Sequence, residues 1–160
     1  MRGRTRHHGG TRRRRGERGA ALLEFTIGAV VFMTAVFAVL EFGRLLWVHN
    51  ALTDAARRGA RYAINHEKSL GAIADAQEMA VYGTTTPGDN PRPLVNDLKT
   101  THVKVNHSSA YGVGQGSVSV TVEGYEFNFV VPIIGKTVKM PTYRTTLTGE
   151  NAGTVPVNIP

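Results

Sequence analysis

Gly19-Ala20-Ala21-Leu22-Leu23-Glu24-Phe25 opens an apolar run that continues to Leu40, and the rest of the chain is arranged around it. From Ala20 to Leu40 the only charged residue is Glu24. The run matches the roughly 20 apolar residues that a helix needs to cross hydrocarbon, and a soluble core helix seldom stays apolar so long. Charge returns immediately after it, in Glu41-Phe42-Gly43-Arg44, and an arginine-rich segment immediately precedes it. The sequence therefore predicts a transmembrane helix over residues 20–40, marked at both ends.

A carboxylate inside such a span needs a partner, because an acidic residue at a helix centre costs about 2.5–3.5 kcal/mol on insertion scales. Glu24 has two solutions. In an uncut chain it can snorkel to the nearer interface beside Arg18. In a chain cut after Gly19 it lies about one helical turn from a new α-ammonium group on Ala20. That amine can be its own or, in a helical assembly, a neighbouring subunit's, in which case the pair fixes the stagger between chains.

On the N-terminal side of the run, Met1 to Arg18 is Arg, Gly, His and Thr with Glu17 and no apolar residue after the initiator. Such a composition cannot form a packed core and is expected to be disordered. A basic run abutting an apolar one is the pattern of a cytoplasmic orientation signal. A nucleic-acid-binding arm and an appended tag are the other readings, the first lacking an aromatic platform or folded basic patch. His7-His8 is too short for a metal tract. An ordinary secretory signal is excluded, since the apolar run exceeds the roughly 7–15 residues of such a signal. The orientation rule keeps the arginines in the cytoplasm and places the chain beyond Leu40 outside, although Arg44, Arg57, Arg58 and Arg61 also lie within its reach.

On the C-terminal side, Glu41 to Ile64 holds no proline, and Gly43 and Gly59 are its only glycines. The helix is expected to run on, measuring roughly 68 Å from Ala20 to Ile64 at 1.5 Å per residue. Leu45, Val48, Leu52, Ala55 or Ala56, Gly59 and Ala63 recur at spacings of three and four and define one apolar face. Within it Ala51, Ala55, Gly59 and Ala63 fall four apart, a small-xxx-small spacing that permits close approach. Its partner is expected to be the protein's own domain, with a neighbouring subunit as the other reading. Glu41 with Arg44, and Asp54 with Arg57 or Arg58, have the spacing of ordinary surface pairs.

These residues resemble a known family. Gly19 followed by four apolar residues, Glu24 and Phe25 looks like the cleavage motif of type IV pilin-like precursors. Glu41-Phe42-Gly43-Arg44 and Asn50-Ala51-Leu52-Thr53-Asp54-Ala55-Ala56-Arg57-Arg58-Gly59-Ala60-Arg61-Tyr62-Ala63 are similar to the N-terminal region of TadE-like proteins, the minor pseudopilins of tight adherence (Flp-type) pilus systems. The resemblance covers Arg15 to about Ala63. It implies cleavage after Gly19 by a membrane prepilin peptidase and a part in fibre assembly with other pilin and pseudopilin subunits, not catalysis. The leader is long and extremely basic for that motif.

At 160 residues the chain fits one modest domain, with about 120 residues beyond leader and anchor to build a core. Its formal charge of +7 raises a nucleic-acid partner, but residues 1–19 hold eight Arg against Glu17, and from Ala20 onward eleven Lys and Arg balance eleven Asp and Glu. The basic character belongs to the leader, so no nucleic-acid partner is expected, and a DNA-contacting pseudopilin of the competence type would need an external basic patch. Cysteine is absent, which excludes disulfides and thiolate metal sites.

Ser69 to Tyr82 reads as a second helix with Ser69 as cap and Gly83 as stop. Thr84 to Pro93, with three prolines, reads as a surface loop. From Thr101 the period becomes two. Val103 and Val105, then Val118, Val120 and Val122, alternate with polar residues and predict strands. Gly112-Val113-Gly114-Gln115-Gly116 between them lacks the lysine and following helix of a phosphate loop and reads as a hairpin loop. Tyr125 to Val131 continues as a third strand with Tyr125, Phe127 and Phe129 on one side. Pro132-Ile133-Ile134-Gly135 reads as a turn, after which Thr137 to Met140 and Tyr143 to Thr148 complete one antiparallel sheet. Asn151 to Pro160 looks extended.

No catalytic or metal motif emerges. Neither a Gly-x-Ser-x-Gly elbow, a His-Glu-x-x-His helix, a Walker loop nor an EF-hand spacing is present. His49, His66, His102 and His107 lack ligand spacing, and Asn106-His107-Ser108 is a glycosylation sequon of a length that arises by chance. The expected protein is α+β, with a long N-terminal helix, half transmembrane and half soluble, packed on a small antiparallel sheet in pilin-like fashion. Its expected divisions are a leader at 1–19, the span at 20–40, helical continuation and second helix at 41–83, and loop and sheet at 84–160. The expected protein uses no cofactor and no small-molecule substrate, and resides in the cytoplasmic membrane with its C-terminal domain outside, available for incorporation into a surface pilus that serves cell adhesion. The alternative is an uncleaved single-pass protein whose external domain binds a protein partner.

Overall fold

The computed structural model describes residues 13–66, 68–108, 116–130 and 137–149, with side chains from Gly19 onward. Two compact units divide it, residues 1–41 and residues 42–160. Helix α1 (Arg13–Ile64) supplies all that is described of the first and the opening element of the second. It starts inside the arginine-rich segment for which disorder was expected, at Arg13. Arginine is a good helix former, and a turn added to an existing helix avoids the nucleation cost that governs an isolated peptide. The rest of that expectation, with His7-His8, lies outside the described residues.

Within the second unit the helix is followed by α2 (Leu70–Tyr82) and a single 3₁₀ turn at Thr100–His102. Among the described residues five strands come next: β1 (Val103–His107), β2 (Ser117–Val122), β3 (Glu126–Asn128), β4 (Thr137–Lys139) and β5 (Tyr143–Thr148). Local chemistry fixes α2 at both ends. Ser69 Oγ accepts from the Ala72 amide at 3.0 Å, satisfying a donor that the first turn leaves open. Gly83 takes φ 76° and donates its N–H to the Met79 carbonyl, a left-handed cap that suits glycine. Leu70, in the first turn, is exposed, whereas Ala76, Ala80 and Val81 are buried.

The strands form two ribbons, not the single sheet expected. One has the order β1-β2-β5 and the other is β3-β4, all pairs antiparallel. The division occurs at Gly124, whose φ of 73° turns the chain out of β2 before it can continue in line. Glu123 N–H is diverted to the His102 carbonyl at 2.9 Å, and Met140 N–H ties the second ribbon to the Tyr125 carbonyl at 2.9 Å. The third strand is correspondingly short. Phe129 and Val130 lie beyond it, and Val131, the Pro132–Gly135 turn, the loop glycines Gly112 and Gly114, and the Asn151–Pro160 tail lie outside the described residues.

Val118, Val120 and Val122 of the central strand are fully buried, as period-two alternation requires. They meet Leu52, Ala55, Ala56, Ala60 and Ala63 of α1 and Ala76, Ala80 and Val81 of α2 in one core. Val95 and Leu98, past the proline-rich loop, belong to the same core, and beside them Leu94 N–H bonds the Val81 carbonyl at 2.9 Å. The architecture is α+β: a long apolar N-terminal helix with small antiparallel sheets, in the pilin-like arrangement.

Candidate functional site

The first unit presents its apolar side chains outward. Leu22, Leu23, Phe25, Ile27, Val30, Val31 and Phe32 are all exposed, and the helix from Gly19 is long and apolar enough to cross a membrane. Exposing such a surface to water would be costly, at about 1.5–3 kcal/mol per large side chain. The threonines of this stretch are suited to lipid. Thr26 and Thr34 donate their hydroxyls to the carbonyls of Leu22 and Val30, each at 2.8 Å, so neither presents an unsatisfied donor. Gly19, Ala20, Glu24 and Phe25 all lie on this helix and are exposed. Among the described residues Glu24 has no hydrogen-bond or ion-pair partner, so the demand it makes on a membrane-spanning helix is not met there.

The residues singled out after the apolar run have distinct surroundings. Gly43 is exposed with open space where a side chain would stand, and Glu41 is buried. Arg44 donates a guanidinium N–H to the Asn128 carbonyl and its Cζ lies 4.5 Å from the centroid of the Phe127 ring. One side chain thus joins the first turns of α1 in this unit to β3 by a charge-assisted bond and a cation–π contact. Farther along α1, Leu52, Ala55, Gly59 and Ala63 are buried and Ala51 is half-buried. A Cβ built on Gly59 would stand 3.1 Å from the Ala76 carbonyl oxygen, 3.2 Å from Ala80 Cβ and 3.3 Å from Val120 Cγ1. Asp54 pairs with Arg57 at 3.5 Å, whereas Arg58 turns to the Ala80 carbonyl at 3.2 Å. Burial lowers the Arg58 pKa, with Asp54 opposing.

Each described histidine has a structural contact. His49 Nδ1 is 2.9 Å from Tyr143 Oη, His66 stacks on Tyr62, and His102 accepts from the Lys99 amide at 3.2 Å. Burial and nearby Lys68 lower the His107 pKa against a bond to the Ala63 carbonyl. Tyr62 donates to Asp75 Oδ2 at 3.1 Å. Among the described residues no group of three His, Cys, Asp or Glu is placed to hold a metal ion. Asn106 of the sequon lies within β1, paired opposite Ser119.

Sequence reasoning missed the long-range contacts of Arg44, His49, Tyr62 and Tyr125, whose hydroxyl donates to the Asn96 carbonyl at 2.7 Å. These join residues far apart in the chain, and no local spacing announces them. It also passed over Phe42, Leu46 and Trp47, exposed on α1 just beyond the apolar run. The signal that could have found them is the return of large apolar residues after Glu41, four and five positions apart.

Residues 19–61 match the family model described as TadE-like protein. Neither a curated protein nor a solved structure matches the chain. The matched segment starts at Gly19 and ends within α1, so the match covers the apolar run and the first part of the soluble helix and leaves α2 and the strands outside it. The likeness is to TadE-like proteins over that segment alone, and the helix within it is long and apolar enough to cross a membrane.

Proposed function

We propose that this chain is a minor pseudopilin of a tight adherence pilus, cut by a prepilin peptidase after Gly19 and held in the cytoplasmic membrane by residues 20–40 until it joins a fibre or its initiating tip. The observation that carries the reading is the match that opens at Gly19, the residue after which the sequence motif places the cut. In this reading Ala20 becomes the N-terminus, and Glu24, lacking a partner on its own helix among the described residues, receives the Ala20 ammonium of a neighbouring subunit. Pairing removes both charges from lipid together and sets the register between helices. A minor rather than major role is supported by the folded unit that follows the anchor, which a bare helical fibre subunit would not need.

Helix α1 runs through the Gly19–Ala20 bond, so a peptidase must first unwind that turn. Glycine lowers the cost, since it is about 1 kcal/mol less favourable than alanine in a helix. An uncut single-pass protein, with its external unit binding a protein partner, is the competing reading that this continuity favours. Intact mass and N-terminal sequence of the protein from its native membrane decide between them. A start at Ala20 supports the pseudopilin; a start at Met1 or Arg2 in mature material overturns it. Glu24→Ala is expected to be processed yet to enter the fibre poorly, and normal incorporation would remove the register role.

A further inference from the structure

The outward side of α1 in the second unit changes chemistry once. Phe42, Leu46 and Trp47 are exposed at 59%, 48% and 57%, and the exposed positions after them on α1 are His49, Asn50, Asp54, Arg57 and Arg61. Trp47, Asp54 and Arg61 are seven apart and so share one line along the helix, which passes from indole to carboxylate to guanidinium. Val48 and Leu52, on the opposite side, are buried in the unit's own core. The helix is therefore not turned outside in, and three large apolar side chains within six positions stand where the core does not reach.

Three observations identify what meets them. The patch continues the apolar run, whose last residues Val39 and Leu40 are also exposed. It contains the chain's one tryptophan, whose ring, apolar with a single N–H donor, favours the boundary between hydrocarbon and headgroups. The side chains are also bulky, whereas close helix–helix contacts in membranes favour small residues, and α1 keeps its small residues Ala55, Gly59 and Ala63 inside its own unit. At the same end Arg44 holds Asn128, and Val130, two residues beyond, is 72% exposed.

We propose that Phe42, Leu46 and Trp47 form an interfacial collar in the headgroup layer of the leaflet opposite the arginine-rich leader, so that the membrane boundary lies at Trp47 and not at Leu40. The inference rests on the single-pass reading above and specifies the lipid contact of that anchor. Residues 20–47 as helix measure about 42 Å, which matches the roughly 40–45 Å of a bilayer with its headgroups, while residues 20–40 match only the hydrocarbon. The consequence is a fixed height: the polar side that starts at Asn50, with its first charge at Asp54, begins where the headgroups end.

Because Trp47 is the only tryptophan, the unmodified full-length chain reports its own depth. The protein is reconstituted in phosphatidylethanolamine–phosphatidylglycerol vesicles, its insertion checked by flotation, and its emission quenched by iodide or by lipids brominated near the carbonyl or near the chain terminus. The collar predicts co-flotation, loss of about half or more of the emission with the shallow brominated lipid, less with the deep one, and weak quenching by iodide. Strong iodide quenching without lipid quenching places Trp47 in water and overturns the collar alone. Protection from both quenchers places it against protein and also overturns it. Failure to float overturns the collar together with the single-pass reading. Moving the probe with the double substitution Trp47→Phe, Asn50→Trp should raise iodide quenching several-fold, and continued quenching by lipid at position 50 would refute the boundary.

Discussion

His107, the last residue of β1, gives the fold a specific sensitivity to acid. Burial, then the charge of Lys68, push its pKa below the ordinary histidine value, and the bond to the Ala63 carbonyl only partly offsets them. The folded state therefore prefers the neutral ring, while the unfolded chain takes up a proton near pH 6.5. The resulting stability is present above that pH and is lost as pH falls through the depressed folded value. Thermal unfolding of wild type and His107→Gln, compared from pH 7 to pH 5, should show the wild-type midpoint falling more steeply, since other titrating groups are common to both. Parallel curves would mean that His107 does not carry this sensitivity. Nothing in the sequence marks the residue, because its environment comes from Ala63 at the far end of α1 and from Lys68 in the turn after it.

At the scale of elements, the packing of α1 on its own unit depends on Gly59. A methyl there meets backbone at Ala76, a methyl at Ala80 and a strand side chain at Val120, all at 3.1–3.3 Å. Backbone on one side and a central strand on the other leave little room to yield. Gly59→Ala recovers about 1 kcal/mol of helix propensity against an overpacking cost of about 1–3 kcal/mol, for a small net loss. Gly59→Val adds bulk and a β-branch and is expected to lose about 2–3 kcal/mol. Chemical unfolding of the full chain in detergent measures both, and a Gly59→Val chain as stable as wild type would show that α1 and α2 do not approach as described. The small-residue spacing made this face legible in the sequence, as Ser69 and Gly83 did the ends of α2, because propensity and capping act within a turn or two. The separation into two ribbons was not legible. It turns on Gly124 adopting a positive φ and on Tyr125 bonding Met140, and alternation of side chains along a strand says nothing about which strand it pairs with. At the candidate site, Gly19 and Glu24 could be singled out because a charge in an apolar run is conspicuous, whereas no partner of Glu24 stands among the described residues.

For the whole molecule, the proposed cut has a consequence for charge. The chain carries +7, all of it within residues 1–19, and residues 20–160 sum to zero. The new amino terminus and the existing carboxyl terminus cancel, so a cut after Gly19 converts a strongly basic precursor into a nearly neutral subunit. In the proposed reading the leader's charge serves orientation, holding the arginines on the cytoplasmic side. The same charge would oppose side-by-side packing of many copies in a low-dielectric assembly, and the proposed cut would remove it and leave helices that can gather, with the Ala20 ammonium and Glu24 as complementary charges. Denaturing isoelectric focusing tests this without reference to folding. The precursor should focus near its sequence value of 10.1, and the mature species near neutrality, a shift of about 3 units given carboxylates near 4 and guanidinium above 12. Blocking the peptidase should return all of the protein to the basic position. If mature protein focused at the basic position with the peptidase active, the leader would persist, and the packing of subunits would have to tolerate its seven net charges or not occur.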